Sequence, residues 1–153
     1  MSEIVKEGEI LLYITQKGKL DKALAEIGAK ALSKTPQGAP YIEDSDVKVS
    51  VSHKGNVVVL ACSLKPVGVD IEDVTVPRNV ERLSRLFHVS EKAESLYDFY
   101  KIWTAKEAEG KRVGTGVNAE ILRAKTEGAK YMDYGDYLIC AIGEGDLVVR
   151  ELD

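Results

Sequence analysis

Leu96, Tyr100, Trp103, Glu107 and Lys111 fall at i, i+4, i+7, i+11 and i+15. On a helix they share one face. The first three form an apolar stripe suited to burial against a sheet, and the same face then continues as a carboxylate and an ammonium. Gly110 beside them leaves room for a close approach. A carboxylate at the end of a buried stripe is costly unless it is paired, hydrogen-bonded or bound to a metal. Two readings are open here: a Glu107–Lys111 helix pair, worth roughly a few tenths of a kcal/mol, or part of a reactive site.

A second stretch, Val67 to Glu72, alternates Val67, Val69 and Ile71 with Gly68, Asp70 and Glu72. On a strand these sets face opposite sides, and the backbones of Asp70 and Glu72 lie roughly 6–7 Å apart on one of them. Two carboxylates so close repel, which a hard divalent cation relieves. An oxygen-only set with no histidine or cysteine cluster nearby favours Mg²⁺ over Zn²⁺. Alone, such a pair is equally a solvated strand face. Joined by Glu107 from a packed helix, it makes three carboxylates for one cation, and Mg²⁺ keeps positions open for substrate phosphates. Ser52-His53-Lys54-Gly55 offers a hydroxyl, an imidazole, an ammonium and a turn, which suits an anion; a surface histidine is the alternative. Arg78, Arg82 and Arg85 recur at i, i+4 and i+7, either as a solvated ridge paired with Glu81 or as a docking strip for an acidic partner.

The elements that must position these groups are legible from periodicity. Glu9–Thr15 reads as a strand, and Leu20, Leu24, Ile27 and Ala31 place a helix over Lys19–Ser33 that ends at the turn chemistry of residues 35–40. Val47, Val49 and Val51 alternate along a strand reaching His53. A turn at Lys54-Gly55-Asn56 leads into a return strand, Val57–Ser63, and then Val67–Glu72. Helices are expected over Arg78–Leu86 and Glu91–Lys111, the second capped by Ser90 and ended by Gly114-Thr115-Gly116. Closing strands are expected at Ile121–Ala124, Ala129–Tyr134, Tyr137–Ile142 and Leu147–Leu152. The fold class is α+β, a mainly antiparallel sheet packed against a long helix, in a single domain over residues 1–153.

The 153 residues carry a net charge of −4, which leaves no global basic field for nucleic acid. Cys62 and Cys140 sit in apolar runs without CxxC spacing, as buried thiols of a reducing cytosol do. The acidic N-terminus lacks the apolar length of a signal peptide or membrane span, so a cytoplasmic protein is expected.

Taken in order, S-H-K-G (52–55), P-V-G-V-D-I-E (66–72) and W-T-A-K-E-A-E-G-K (103–111) resemble the signature of the 4′-phosphopantetheinyl transferase superfamily. The family's second box is matched at Trp103, Thr104, Lys106, Glu107, Ala108 and Lys111. The resemblance implies an enzyme that moves the 4′-phosphopantetheine arm of coenzyme A onto a serine of an apo acyl or peptidyl carrier protein, releasing 3′,5′-ADP. It implies Asp70, Glu72 and Glu107 as Mg²⁺ ligands, with Glu107 also the base for the serine proton. Lys106 and Lys111 would neutralise the phosphates, Ser52 and His53 would contact the 3′-phosphate of coenzyme A, and Arg78, Arg82 and Arg85 would dock the acidic carrier. The placement of the Ser-His pair is similar to the larger, surfactin-synthetase-activating branch, whereas the Gly114-Thr115-Gly116 loop looks like the compact holo-acyl-carrier-protein synthase branch. Relative to the larger branch, residues 1–40 form a reduced N-terminal part, with Lys19 or Lys22 for the adenine end. A homo-oligomer or a larger partner would supply the remaining surface, and a non-catalytic binder of carrier protein or coenzyme A is the rival reading.

Overall fold

The computed structural model describes residues 4–153; residues 1–3, the start of the acidic N-terminal stretch and of the expected single domain, lie outside the described residues. The class is α+β, but its strands divide between two main sheets. The first has the order β4-β5-β1-β9, formed by β1 (Glu9–Gln16), β4 (Lys48–Lys54), β5 (Val57–Ser63) and β9 (Asp146–Glu151). The second has the order β6-β8-β7, from β6 (Gly68–Asp73), β7 (Ala129–Tyr134) and β8 (Tyr137–Ile142). A small ribbon pairs β2 (Ser33–Lys34) with β3 (Pro40–Tyr41). All pairings are antiparallel except β1 with β9, which is parallel. The last strand therefore leaves the β7–β8 hairpin and crosses to the first sheet.

Alternation along the strands builds the layers. Ile10, Leu12, Ile14, Val59 and Ala61 of the first sheet pack against Val69, Ile71, Ile139 and Ala141 of the second. The first sheet's other face, with Leu11, Tyr13, Val49, Leu60 and Cys62, is covered by Ala23 and Leu24 of α1 (Leu20–Glu26) and by Ile27. On the second sheet's other face, Leu138, Cys140 and Ile142 meet Phe99, Tyr100, Ala105 and Ala108 of α3 (Leu96–Val113). Cys62 and Cys140 are buried and free. Among the described residues no helix is long and apolar enough to cross a membrane.

Several expected boundaries move, each for a local reason. α1 stops at Glu26 because Gly28, at φ 77°, turns the chain, with Ala29 N–H returning to Leu24 O. Ala31 therefore lies outside the helix. α2 is only Val80–Ser84, capped by Asn79, so the three arginines do not form one helical ridge. α3 begins at Leu96, where the Ser95 side chain accepts from Asp98 N–H. Ser90 instead belongs to a turn with His88. Residues 121–124, expected as a strand, lie in and just beyond α4 (Ala119–Arg123), which Asn118 caps by accepting from Ile121 N–H.

Two glycines set how closely α3 is held. A Cβ on Gly68 would collide with the Ala108 carbonyl and with Arg112 N, so β6 and α3 meet at backbone contact. A Cβ on Gly110 would collide with Gly116 and Val117 N. What comes close at Gly110 is therefore the chain's own exit loop, after Gly114 ends the helix at φ 85°. Alanine in a strand ordinarily gains over glycine through the unfolded chain; at Gly68 the collision decides the sign. Gly68→Ala is expected to lower stability by about 1–3 kcal/mol or more, measured by urea denaturation, and an unchanged midpoint would disprove the close approach.

Candidate active site

The site lies where β4, β6 and α3 meet. Along β4, Val49 and Val51 pack into the first core, while Ser50, Ser52 and Lys54 face β6. Each of these three holds a residue of β6: Ser50 Oγ accepts from Val69 N–H at 3.1 Å, Ser52 Oγ donates to Asp70 Oδ1 at 3.2 Å, and Lys54 Nζ lies 3.0 Å from Glu72 Oε1. Side chains thus bridge the edges of two sheets that share no strand pairing. From α3, Lys111 Nζ donates to Val51 O at 3.1 Å and stands 3.8 Å from Asp70 Oδ1.

Asp70 is the most constrained group. Its side chain is 8 % exposed, and Oδ2 is buried with no hydrogen-bond partner. Burial pushes its pKa up to about 7; the nearby Lys111 ammonium pulls it down, while the charges of Glu72 and Glu107 raise it further. Burial also holds the half-buried Glu107 above the usual carboxylate range, with Lys111, Arg78 and Lys54 opposing and Glu72 adding to the rise. Lys111 is in turn pushed below the usual lysine range by burial, against the pull of Asp70, Glu107 and Glu72. The three acids therefore share one electrostatic neighbourhood. Among the described residues, though, no three of His, Cys, Asp or Glu are drawn together closely enough to hold a metal as they stand. The chemistry of the set still fits a hard divalent cation. It offers carboxylate oxygens, mutual repulsion, and in Asp70 Oδ2 a buried acceptor with nothing to accept from.

Lys111 also lines a cleft of about 550 Å³ between residues 37–42, β4 and the exit loop at Gly114 and Gly116, with Val49, Val51 and Val67 in its wall. Its size suits a cofactor-sized ligand.

The other sequence-predicted residues fall elsewhere. Lys106 is fully buried, on the side of α3 turned from the acids. Its ammonium lies 2.6 Å from Glu91 Oε1 and donates to Ala124 O. Glu91 also accepts from His88 N–H and Thr126 N–H, at 3.2 and 3.0 Å. This pair ties three chain segments together. His53 is exposed and follows Ser52 on the opposite face of β4, so the two do not act side by side. Arg78 precedes α2 and lies over Phe99 and Trp103, 5.7 and 5.5 Å from their ring centres. Arg85 pairs with Glu81 at 3.3 Å, and both are mostly exposed. Lys22 donates to Asp153 O.

Sequence reasoning assigned no role to Ser50, Glu91 or the Lys54–Glu72 pair. The period-two placement of Ser50, Ser52 and Lys54 was a readable signal for the first and third. Nothing local linked Glu91 to Lys106.

A carboxylate whose folded pKa is raised binds more protons folded than unfolded between the two values, so stability falls as pH rises from about 4 to about 7. In EDTA, Asp70→Asn is expected to be more stable than the parent at pH 8, by an amount of order 2–4 kcal/mol, with the gap closing at pH 4. Thermal melts at the two pH values check this, and a gap independent of pH would refute it. Lys106→Met strands a buried Glu91 carboxylate and is expected to cost about 3–5 kcal/mol. Adding Glu91→Gln should recover part of that loss in a double-mutant cycle by chemical denaturation; purely additive losses would contradict the pairing.

Comparison with known proteins fits this geometry. Residues 66–131, from the start of the P-V-G-V-D-I-E box through α3 into β7, match the model of the 4′-phosphopantetheinyl transferase superfamily. The chain is 31% identical over 122 residues to 4′-phosphopantetheinyl transferase Sfp of Bacillus subtilis (strain 168), covering 72% of this chain and 52% of that protein. It is 33% identical over 92 residues to 4′-phosphopantetheinyl transferase gsp of Aneurinibacillus migulanus, covering 55% of this chain and 38% of that one. A 4′-phosphopantetheinyl transferase of Bacillus subtilis is 30% identical over 104 residues, covering 60% and 46%. The matches thus span about half, or less, of each relative. The segment that matches the family carries Asp70, Glu72, Glu107 and Lys111 and the elements that bring them together, and over it the chain is similar to the 4′-phosphopantetheinyl transferase superfamily.

Proposed function

We propose that the chain is a Mg²⁺-dependent 4′-phosphopantetheinyl transferase, moving the phosphopantetheine arm of coenzyme A to a serine of an apo carrier protein. The observation that carries this reading is the buried, half-unpartnered Asp70 carboxylate, set beside Glu72, Glu107 and Lys111, the last of which also lines an open cleft. Asp70, Glu72 and Glu107 would hold the ion, which when bound supplies concentrated positive charge to a diphosphate.

The chain's own groups do the remainder. The serine hydroxyl forms a bond to the β-phosphorus of coenzyme A, and the bond from that phosphorus to the bridging oxygen of 3′,5′-ADP breaks. Glu107, held above the usual carboxylate range, takes the serine proton directly or through water. Lys111 faces the charge that collects on the leaving oxygen, where electrostatic stabilisation counts most. Ser52 aims Asp70 by its hydrogen bond, and exposed His53 is available to the 3′-phosphate. Lys106 acts through the position of α3, by its tie to Glu91. Arg82 and Arg85, exposed on and beside α2, suit an acidic carrier, with Arg78 nearer to Glu107. Buried free thiols support a reducing, cytoplasmic setting.

A second reading, a non-catalytic binder that works in a homo-oligomer or with a larger partner, is favoured by one fact: the chain spans about half of Sfp. One assay separates the two. Incubation with coenzyme A, MgCl₂ and a panel of apo carrier proteins should add the mass of one phosphopantetheine arm to at least one carrier. Glu107→Gln should slow this on the order of 10²–10⁴-fold while leaving the melting temperature near the parent's. Retained coenzyme A binding with no mass gain on any carrier would favour the binder, and a Glu107→Gln rate equal to the parent's would remove Glu107 from the chemistry.

A further inference from the structure

Two ammonium groups reach the acid cluster, and they are held differently. Lys111 is anchored twice, at Val51 O and at Asp70 Oδ1, and its side chain is 32% exposed. Lys54 stands at the end of β4 beside the Gly55-Asn56 turn, its side chain 43% exposed, and meets Glu72 Oε1 at 3.0 Å. Glu72 itself is only 15% exposed. So a partly solvated cation sits on Glu72, beside the orphaned Asp70 Oδ2.

We infer that Lys54 is an exchangeable counter-ion. It occupies Glu72 while the acid cluster holds no divalent cation, gives up that oxygen when one enters, and then presents its freed ammonium to the phosphate groups of the substrate. The inference rests on the proposed reading of Asp70, Glu72 and Glu107 as cation ligands. The Lys54 ammonium on Glu72 Oε1 competes with a divalent ion for that carboxylate, and the like charges repel across the site. Displacement therefore has a cost that the cation must meet on entering. The long lysine stem at a hairpin end can swing without disturbing the strand, and a free ammonium beside bound diphosphate finds a stronger anion than the one it left.

The test is calorimetric and does not depend on turnover. The full chain, Lys54→Met and Lys54→Arg are each titrated with MgCl₂ alone, and then with coenzyme A at saturating Mg²⁺, after melting curves show all three folded. Lys54→Met should bind Mg²⁺ roughly three- to tenfold more tightly than the parent and coenzyme A roughly three- to tenfold more weakly. Lys54→Arg should stay close to the parent in both. Unchanged Mg²⁺ affinity in Lys54→Met, or coenzyme A affinity that holds or rises, would overturn the exchange. Absence of saturable Mg²⁺ binding in the parent and in Lys54→Met alike would overturn the assignment of the acids beneath it.

Discussion

A helix can lie on a strand at backbone distance only where the strand carries no side chain, and in this protein that place is Gly68. Its bare Cα lets the backbone around Ala108 settle against β6, where Ala108 O and Arg112 N take the space a side chain would fill. Close approach brings Glu107 and Lys111, one turn apart on the same face, within reach of Asp70 two residues further along β6. With the helix a side chain's thickness farther out, Lys111 would not reach both Val51 O and Asp70. Packing and chemistry thus share one cause.

Burying Asp70 with one oxygen unsatisfied runs against the general rule that buried acceptors are paired. The compensation is spread over the neighbourhood: a hydroxyl from Ser52, an ammonium from Lys111, and a large apolar core behind β6. Stability given up at one carboxylate is a common property of sites that must bind something. The Lys106–Glu91 pair shows the other use of buried charge. There both partners are engaged, with backbone groups taking further hydrogen bonds, and the result joins the 88–91 turn, α3 and the end of α4. The lysine before Glu107 and the lysine four residues after it differ in this way because about 100° of helical rotation per residue points them to different neighbours.

How much was legible follows from the range of the signals. The alternation of Val49 and Val51, the Val57–Ser63 run and the Val67–Glu72 pattern state which residues face a core, and these strands lie within a residue or so of their expected bounds. The hairpin from β7 to β8 was equally plain. Short helices were not, since α1, α2 and α4 are decided by single residues: Gly28 as a stop, Asn79 and Asn118 as caps. The apolar letters of residues 121–124 fit a strand until the Asn118 cap is weighed.

From the residues alone came the set of acids, the lysine one turn beyond Glu107, and the order of the motifs, because helical and strand periods convert spacing into shared faces. Only the tertiary structure decided which faces meet. It split the expected sheet in two, sent β9 back beside β1, and closed the gap between β4 and β6 with Ser50, Ser52 and Lys54. It also withdrew Lys106 from the acids and separated Ser52 from His53. The reason is physical: a period specifies direction about one element's own axis, whereas partnership between elements depends on distances set by packing, by glycines at the contact and by which buried charge finds its counterpart.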